Sequence, residues 1–347
     1  MDALQLTGWK QRPEIREVAQ PDPGPGEVLV KVGGAGACHS DLHLMNEFEP
    51  GMLPFDPPFT LGHENAGWVE ALGPGVTGID VGQPVAVYGP WGCGRCSRCI
   101  VGMENYCERQ AEIGRFGPGL GDDGGMAPHL LVRDVRYLVS LDGLDPAHAA
   151  PLTDAGLTPY HAIRRSLDRL RPGSIALVVG VGGLGHMAVQ ILRAITATTI
   201  IAVDARPAAL ELATSSGAHH TVLAGDGAAA EVRDLTKGRG VDVALDFVGD
   251  DSTIALAVAC SRTSSDVTIV GIGGGTFGFS FFTIPYEATL ATTYWGSIPE
   301  LAEVVALAEA GHIRAEVELF DLGSALDAYD KMAAGELQGR AVIVPAG

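Results

Sequence analysis

The stretch SIALVVGVGGLG, residues 174–185, decides the fold of the second half of this chain. Its apolar start is typical of a strand buried on both faces, and Gly180–Gly185 has the spacing G-x-G-x-x-G. A helical run follows from Leu184 to Ala194, and the next apolar strand, Thr199–Asp204, ends in an acidic residue. The glycine spacing alone is a weak signal, but this strand–turn–helix–strand context predicts a dinucleotide-binding unit.

The residues of this motif have separate physical tasks. Gly180 makes the tight turn, Gly182 lets the backbone approach a pyrophosphate, and Gly185 allows the helix to pack closely on the strand. The N-terminus of the helix favours the phosphate charge. Asp204 would accept hydrogen bonds from the adenosine ribose and repel a 2′-phosphate, which predicts NAD over NADP, whereas Arg206 could contact such a phosphate. The alternative is a glycine-rich turn that binds no ligand.

Strand and helix signals continue to alternate along the rest of this half. The pattern predicts a helix near Ala208–Ser215 and strands at Val241–Phe247 and Asp266–Gly271. Apolar strands that alternate with helices indicate a parallel, doubly wound sheet. A last helix, Pro299–Ala310, is expected to lead into a strand-like tail at Arg340–Pro345.

The first third of the chain is rich in glycine and proline and has a different character. Short β-like runs are separated by turn signals such as Pro23-Gly24-Pro25-Gly26. The pattern predicts a compact all-β unit whose strands include EVLVKV (27–32), AGWVEA (66–71) and QPVAVY (83–88).

Four cysteines, Cys93, Cys96, Cys99 and Cys107, have the spacing C-x2-C-x2-C-x7-C. Thiolates on tight turns can converge on one ion, and four of them fill a tetrahedral zinc shell with no open position. The pattern therefore predicts a structural zinc site. Two disulfides are the alternative, which is disfavoured because nothing in the sequence indicates an oxidising compartment.

Composition excludes several classes of partner. The 347-residue chain has 42 acidic and 23 basic residues and a net charge of −19, whereas nucleic acids and anionic membranes require a basic face. No apolar run is long enough to span a bilayer, and no basic segment followed by an apolar one marks a signal peptide at the N-terminus. These features predict a soluble cytoplasmic protein that acts on a small molecule.

A second polar constellation is spread over three segments, which are Cys38–His43 (CHSDLH), Gly62-His63-Glu64 and Asp154. Taken singly, a lone cysteine is usually a small buried apolar residue, and a lone histidine or aspartate is usually structural or solvated. Spacing alone does not bring the three segments together, so a metal site cannot be derived from it.

The chain resembles zinc-dependent members of the medium-chain dehydrogenase/reductase superfamily, especially bacterial secondary-alcohol dehydrogenases and phenylacetaldehyde reductases, over essentially its full length. The motifs that carry the resemblance are GACHSD (36–41), LGHE (61–64), YGPWGCGRCSRC (88–99), PLTDAGLTPYH (151–161) and GVGGLGH (180–186).

The resemblance implies an α/β architecture with two domains and an active site in the cleft between them. A GroES-like, β-rich catalytic domain would comprise residues 1–154 and 297–347, with the structural zinc lobe at 88–109. A Rossmann domain, with a doubly wound parallel sheet, would comprise residues 155–296.

The same resemblance implies a catalytic zinc ion bound by Cys38, His63 and Asp154. Many relatives have a second cysteine at the third position, and aspartate keeps the same negative charge with a harder ligand. Three protein ligands leave one position for water or substrate. Glu64 would stand next to these ligands or bind transiently, and Asp41 would orient the His63 ring by accepting its other N–H.

The resemblance also implies a proton path and a set of cofactor contacts. Ser40 would take the alcohol proton and pass it through the cofactor ribose to His43, although His43 could instead be pocket wall. His39 and Arg340 would contact the cofactor phosphates. The remaining implied contacts are Thr158, Gly180, Gly182, Gly183, Leu184, Gly185, Asp204, Arg206, Val270 and Ile272.

The implied activity is that of a zinc-dependent, NAD(H)-linked alcohol dehydrogenase or carbonyl reductase with two zinc ions per chain. It would interconvert secondary and some primary alcohols, including aryl ones, with ketones or aldehydes. Aromatic and aliphatic side chains suited to such a pocket are Phe55, Trp91, Leu120, Ile272, Phe282, Tyr294 and Trp295.

Three other functions stay open at this point: a zinc-free quinone or enoyl reductase on the same fold, a non-catalytic nucleotide-binding protein, and a zinc-storage or redox-sensing module. The resemblance further implies a homo-oligomer, dimer or tetramer, joined through the edge of the Rossmann sheet, where Asp266–Gly273 and the following segment are expected to lie.

Overall fold

The computed structural model describes residues 1–345, which divide into two compact units. The first unit contains Met1–Leu157, Gly296–Gly311 and the residues from Ala315 onward. The second unit contains Thr158–Trp295 and His312–Arg314.

The N-terminal part of the first unit is mostly β structure with short helices. Its elements are β1 (Asp2–Leu6), β2 (Glu14–Glu17), β3 (Val28–Ala37), α1 (His39–Asn46), β4 (Phe59–Thr60), β5 (Glu64–Leu72), β6 (Pro84–Val87), α2 (Gln110–Ile113), β7 (Gly117–Pro118), β8 (Gly121–Asp122), β9 (His129–Val132), β10 (Leu138–Ser140) and α3 (Pro146–Ala149). The three predicted strands are confirmed as β3, β5 and β6.

The prediction of an all-β unit was wrong in one respect that bears on the site. The polar segment after Cys38 forms the helix α1, because Asp41 at its third position caps the Cys38 backbone N–H. The short 3-10 turns of this unit lie at Cys99–Val101, Glu104–Tyr106, Val135–Tyr137, Ala150–Thr153 and Leu322–Ser324.

The second unit alternates strands with helices, as the sequence predicts. Its elements are α4 (Leu157–Arg164, which begins at the boundary), β11 (Ile175–Val179), α5 (Gly185–Ile195), β12 (Thr199–Asp204), α6 (Pro207–Ser215), β13 (His220–Leu223), α7 (Ala228–Leu235), β14 (Val241–Asp246), α8 (Asp251–Cys260), β15 (Ser261–Ile269) and β16 (Thr289–Thr292).

The strands of the second unit form a six-stranded parallel sheet in the order β13-β12-β11-β14-β15-β16. The central strands are apolar and buried because helices cover both faces of such a sheet. This arrangement confirms the doubly wound fold class. The expectation that the sheet edge lies at Asp266–Gly273 and the following segment was wrong for Asp266–Gly273, since β15 is paired on both sides. The segment that follows does reach the edge, because it contains the edge strand β16.

The C-terminal segment returns to the first unit. It consists of α9 (Ile298–Glu309), β17 (Val317–Asp321), α10 (Ala325–Ala333) and β18 (Arg340–Val344). The predicted last helix is α9, but it is not the last, because α10 follows it. The buried positions of α10, which are Ala325, Ala328, Tyr329 and Met332, have helical spacing, but two alanines make the apolar stripe weak in the sequence.

The main sheet of the first unit places this C-terminal segment beside the N-terminal strands. It has seven strands in the order β10-β6-β5-β3-β18-β17, with β9 also paired to β3. The strand β3 pairs antiparallel with both β5 and β18. Residues from both ends of the chain therefore meet at the end of β3, next to Cys38.

Among residues 1–345, no helix combines the length and the apolar character that crossing a membrane requires.

Candidate functional site

Cys38, His63, Glu64 and Asp154 converge in the first unit. All four are buried, and one potential ligand atom from each lies within 4.8 Å of the others. Cys38 lies between β3 and α1, Glu64 begins β5, and Asp154 follows a 3-10 turn. The antiparallel register pairs Gly36 with Glu64, so the sheet brings together segments that the sequence spacing leaves apart.

The distances within this group suit a metal ion. Asp154 Oδ2 lies 3.8 Å from Cys38 Sγ and 3.7 Å from His63 Nε2. A thiol, an imidazole and a carboxylate form a donor set that zinc prefers, and three such ligands leave a position for water or substrate. Three titratable side chains buried together without an ion would carry an unfavourable desolvation energy, so the residues present fit a zinc ion.

Glu64 has a partner of opposite charge. Arg340 on β18 donates from Nε to Glu64 Oε2 over 2.9 Å and from Nη2 to Oε1, and both side chains are buried. Burial raises the pKa of Glu64 to about 7, although Arg340 acts to lower it. Arg340 Nη2 also lies 3.5 Å from Asp154 Oδ2. A contact of Arg340 with a cofactor phosphate would compete with this pair and stays a prediction.

The fit of Glu64 beside β3 depends on a glycine. A Cβ at Gly36 would lie 2.0 Å from Glu64 Oε2, which no side chain could accommodate. Gly36 therefore leaves the space that the Glu64 carboxylate occupies next to Arg340.

Asp41 contacts two of the residues in this group. Its Oδ1 lies 3.2 Å from His63 Nδ1, and its Oδ2 accepts from the Cys38 backbone N–H over 3.0 Å. Burial lowers the pKa of His63, but the charge of Asp41 and the contacts with Asp154 outweigh it, so the net shift is well upward. Tyr329, which no motif in the sequence indicated, donates to Asp41 Oδ2 over 2.8 Å.

The remaining polar residues of α1 differ in their surroundings. Ser40 Oγ lies 3.4 Å from His63 Nε2, so its hydroxyl is next to one of the candidate metal ligands. His43 Nδ1 lies 2.7 Å from Glu47 Oε1 one helical turn away, and the His43 side chain is 23% exposed. His39 is exposed in the first turn of the helix. The proton path from Ser40 to His43 stays a prediction.

The four clustered cysteines form a second group with ligand atoms within 4.8 Å of one another. All are free thiols, and Cys99 Sγ lies 3.4 Å from Cys96 Sγ and 4.0 Å from Cys93 Sγ, which is too far for a disulfide. Backbone N–H groups point at the sulfurs, and the hydrogen bond from the Cys99 N–H lowers the pKa of Cys96 to about 6. Four sulfurs with donors arranged around them fit a zinc ion with no open position.

The glycine loop of the second unit joins β11 to α5. Gly180 has φ +84°, a conformation that favours glycine, and a Cβ at Gly185 would lie 1.9 Å from the Gly180 carbonyl oxygen. A Cβ at Gly182 would meet open space, so nothing blocks a ligand there. Asp204 at the end of β12 accepts from the Val181 backbone N–H over 2.7 Å, and this bond holds the loop against the neighbouring strand.

Arg206 is a neighbour of Asp204. The Arg206 backbone N–H donates to Asp204 Oδ1 over 2.8 Å, and its Nε lies 3.4 Å from the same oxygen. The guanidinium is therefore already oriented by the carboxylate that the sequence analysis assigned to the ribose.

The other predicted cofactor contacts occupy different settings. Gly183 and Leu184 complete the loop before α5, Thr158 lies buried in the first turn of α4, and Val270 is buried directly after β15. Ile272 is 61% exposed. Their roles stay predictions.

The predicted pocket residues are divided between the units. Trp91 is buried and stacks on Tyr137, with ring centroids 5.4 Å apart. It lines a cavity of about 230 Å³, and the described residues that form the walls of this cavity do not include the candidate metal ligands. Phe55 packs edge-on against Phe59, and Leu120 is half-buried in the turn before β8. In the second unit Phe282 is 89% exposed, Tyr294 is exposed and Trp295 is buried.

Comparison with known proteins identifies the family. The family model described as "Alcohol dehydrogenase GroES-like domain" matches residues 24–143, and the one described as "Zinc-binding dehydrogenase" matches residues 183–310. An NAD-dependent alcohol dehydrogenase from Sulfurisphaera tokodaii is 33% identical over 99% of this chain and 100% of that protein. The chain belongs to the zinc-type medium-chain dehydrogenase/reductase family.

Two solved structures of similar proteins extend this result. The alcohol dehydrogenase of the archaeon Aeropyrum pernix has a TM-score of 0.92 and 36% identity, with 99% of this chain and 100% of that chain covered. An acetophenone reductase from Geotrichum candidum, solved in complex with NAD, has a TM-score of 0.86 and 32% identity, with 99% and 97% covered. The GroES-like and Rossmann fold class predicted from the sequence is confirmed, and the relatives support an alcohol dehydrogenase activity.

Proposed function

We propose that this member of the family is a zinc-dependent, NAD(H)-linked alcohol dehydrogenase and carbonyl reductase. It would interconvert secondary and some primary alcohols, including aryl ones, with ketones or aldehydes. The observation that carries the proposal is the buried convergence of the Cys38 thiol, the His63 imidazole and the Asp154 carboxylate, with the Ser40 hydroxyl beside them.

Cys38, His63 and Asp154 would hold the catalytic metal, and the four-cysteine group would hold a second, structural one. Zinc bound by the first three residues would supply a Lewis acid that lowers the pKa of an alcohol or polarises a carbonyl. Glu64 is engaged by Arg340, which neutralises its charge and favours the assignment of Asp154 rather than Glu64 as the third ligand.

Ser40 is suited to the first proton transfer. Its hydroxyl both accepts and donates, and it lies beside the ring nitrogen of His63 that faces Asp154. His43, whose side chain is partly open to solvent, would then release the proton to solvent. Glu47 Oε1, 2.7 Å from His43 Nδ1, would orient the ring.

The glycine loop at residues 180–185 would bind the pyrophosphate of NAD, the hydride carrier of the reaction. Asp204 would accept hydrogen bonds from the ribose hydroxyls with the lone pairs that Val181 and Arg206 leave free. Its charge would repel a 2′-phosphate, so we propose a preference for NAD over NADP.

The aryl preference is supported by similarity to a protein named as an acetophenone reductase. It is also supported by the aromatic residues Tyr294 and Trp295, which pack edge-on at 5.8 Å. A zinc-free quinone or enoyl reductase would have no use for a buried thiol, imidazole and carboxylate at one point.

The deciding experiment is NADH formation from NAD and 1-phenylethanol, before and after a chelator strips the metal, with zinc then returned. Loss of the rate on stripping and its recovery with zinc support the proposal. A rate that survives complete metal removal overturns the zinc role, and the absence of turnover on aryl, secondary and primary alcohols with either cofactor favours a non-catalytic nucleotide-binding protein.

We also propose that the chain forms a homo-oligomer through β16, the edge strand. One side of β16 pairs with β15, and no described residue pairs with its other side. Phe281 and Tyr286, 70% and 61% exposed, precede this strand, and large exposed apolar groups next to an open strand edge favour contact with another chain. The choice between dimer and tetramer, and a cytoplasmic location, stay predictions.

A further inference from the structure

The hydroxyl of Tyr329 connects the C-terminal helix α10 to the metal candidates. Tyr329 is 3% exposed, and it donates to Asp41 Oδ2 over 2.8 Å. An ionised carboxylate can only accept, so the phenol must be the donor. Burial and the negative charge of Asp41 raise the pKa of Tyr329 well above its usual value, which keeps the phenolic proton in place.

Asp41 also contacts two of the candidate metal ligands, His63 and Cys38. Its Oδ1 lies 3.2 Å from His63 Nδ1, and its Oδ2 accepts from the backbone N–H of Cys38. A carboxylate is planar, so a donor that fixes one oxygen also fixes the direction of the other. The oxygen whose direction is restrained in this way, Oδ1, is the one that lies next to His63 Nδ1.

The hydrogen bond described from the N-terminal segment to Asp41 Oδ2 is a local one. The other donor to Asp41 Oδ2, the Cys38 amide, belongs to the same short helix start as Asp41 itself. Tyr329 reaches the carboxylate from 288 residues away, and its hydroxyl also lies 3.4 Å from Met126 Sδ. Tyr329 therefore binds the Asp41 carboxylate from an element outside the segment that carries Cys38 and Asp41.

We propose that Tyr329 is a positioning residue that sets the geometry of His63 and Cys38 through Asp41. The proposal rests on the proposed function, because it requires a metal ion at Cys38, His63 and Asp154. Groups that hydrogen-bond to a metal-ligating histidine typically change metal affinity by about 10- to 100-fold. Tyr329 acts one contact further out, so removal of its hydroxyl should accelerate zinc release by roughly 3- to 10-fold.

The test compares Tyr329→Phe with Tyr88→Phe in the zinc-loaded full chain. Tyr88 is a matched control because it is a buried phenol of the same unit that donates to a backbone carbonyl, that of Gly296, rather than to Asp41. Zinc release to a chromogenic chelator is followed with time, and Cys38→Ser identifies the kinetic phase that belongs to the Cys38 site. The pH profiles of kcat and kcat/KM provide a second readout.

We expect zinc to leave the Cys38 site faster in Tyr329→Phe than in Tyr88→Phe. The rate of zinc release from the four-cysteine group should stay unchanged. In Tyr329→Phe the decrease in kcat should be larger than the increase in KM. In an Asp41→Asn background the Tyr329→Phe change should have little further effect, because both act through one contact. Should Tyr329→Phe fail to fold, Asp41→Asn alone tests the same contact, and it should accelerate the same phase.

The possible failures are distinguishable. If the wild type and Cys38→Ser bind the same amount of zinc, the metal assignment fails and this proposal fails with it. If they differ, but Tyr329→Phe releases its site zinc as slowly as the wild type and changes only the melting temperature, the positioning role is overturned while the proposed function stands. Equal acceleration by Tyr88→Phe likewise overturns it.

Discussion

Arg340 and Glu64 form a fully buried ion pair that joins the last described strand of the chain to β5. Arg340 Nε donates to Glu64 Oε2 over 2.9 Å, and the two side chains are 3% and 0% exposed. A charge buried without its partner is strongly destabilising, so this pair ties the C-terminal strand to the segment that carries His63.

We expect Arg340→Met to lower the free energy of unfolding by about 3–5 kcal/mol, because it leaves the Glu64 carboxylate buried and uncompensated. The double variant Glu64→Gln/Arg340→Met should regain most of this loss, and urea unfolding of both variants measures it. Arg12→Met is the matched control, since its pair with Asp330 is exposed and should contribute less than about 1 kcal/mol. A double variant as unstable as the single one would contradict the ion-pair explanation.

Cys38→Ser should abolish alcohol oxidation while the chain still folds, because serine oxygen is a poor replacement for a thiolate ligand of zinc. Activity and metal content are the measurements, and one zinc ion per chain should be lost. Cys260→Ala is the control, since Cys260 is a buried thiol in the core of the second unit. Full turnover in Cys38→Ser would remove Cys38 from the metal site.

Asp204→Ala should raise the NADP-to-NAD ratio of kcat/KM by about 10-fold or more, since a 1.4 kcal/mol change in relative binding is tenfold. The physical reason is the loss of a carboxylate that repels a 2′-phosphate and opposes Arg206. Because Asp204 also accepts from the Val181 N–H, Asp204→Asn serves as the control that retains one acceptor oxygen. An unchanged ratio in the alanine variant would show that another residue discriminates between the cofactors.

Cys96→Ser should lower the melting temperature by about 5 °C or more and reduce kcat much less, because the four-cysteine group stabilises structure rather than chemistry. Calorimetry and steady-state kinetics on the same samples test this. Ser97→Ala in the same loop leaves all four sulfurs intact and should melt like the wild type. Unchanged melting with lost activity would assign the group another role.

The double substitution Thr289→Lys/Thr292→Lys should weaken self-association by at least about 10-fold, because it places like charges opposite each other when two β16 strands pair. Light scattering coupled to size exclusion measures the assembly. Leu223→Lys on β13, the other edge strand of the same sheet, is the control and should not alter it. If only the control dissociates the oligomer, the interface lies at β13.

The second unit was largely predictable because its signals are local. The apolar runs that became β11, β12 and β14, and the glycines of the intervening loop, lie close together along the chain, so the bounds of these strands differ from the prediction by one residue at most. The strand predicted at Asp266–Gly271 is β15, which begins five residues earlier, at Ser261. The edge strand β16 was not predicted, since its short, partly polar sequence has no clear alternation.

The candidate metal site depended on contacts that no local pattern encodes. Without the family resemblance, the spacing of Cys38, His63 and Asp154 left their proximity open. The helix α10 was missed because its apolar stripe is built partly from alanine, and Tyr329 was missed with it.

The sequence by itself determined the alternating strands and helices of the second half, the Gly180–Gly185 loop and the four-cysteine cluster, because each is encoded over a short stretch of chain. Only the tertiary structure decided that Cys38, His63 and Asp154 meet, that Arg340 neutralises Glu64, and that Tyr329 holds Asp41. The antiparallel register of β3 with β5 and β18 brings Arg340 to Glu64, and the packing of elements far apart along the chain brings Asp154 and Tyr329 to the same group.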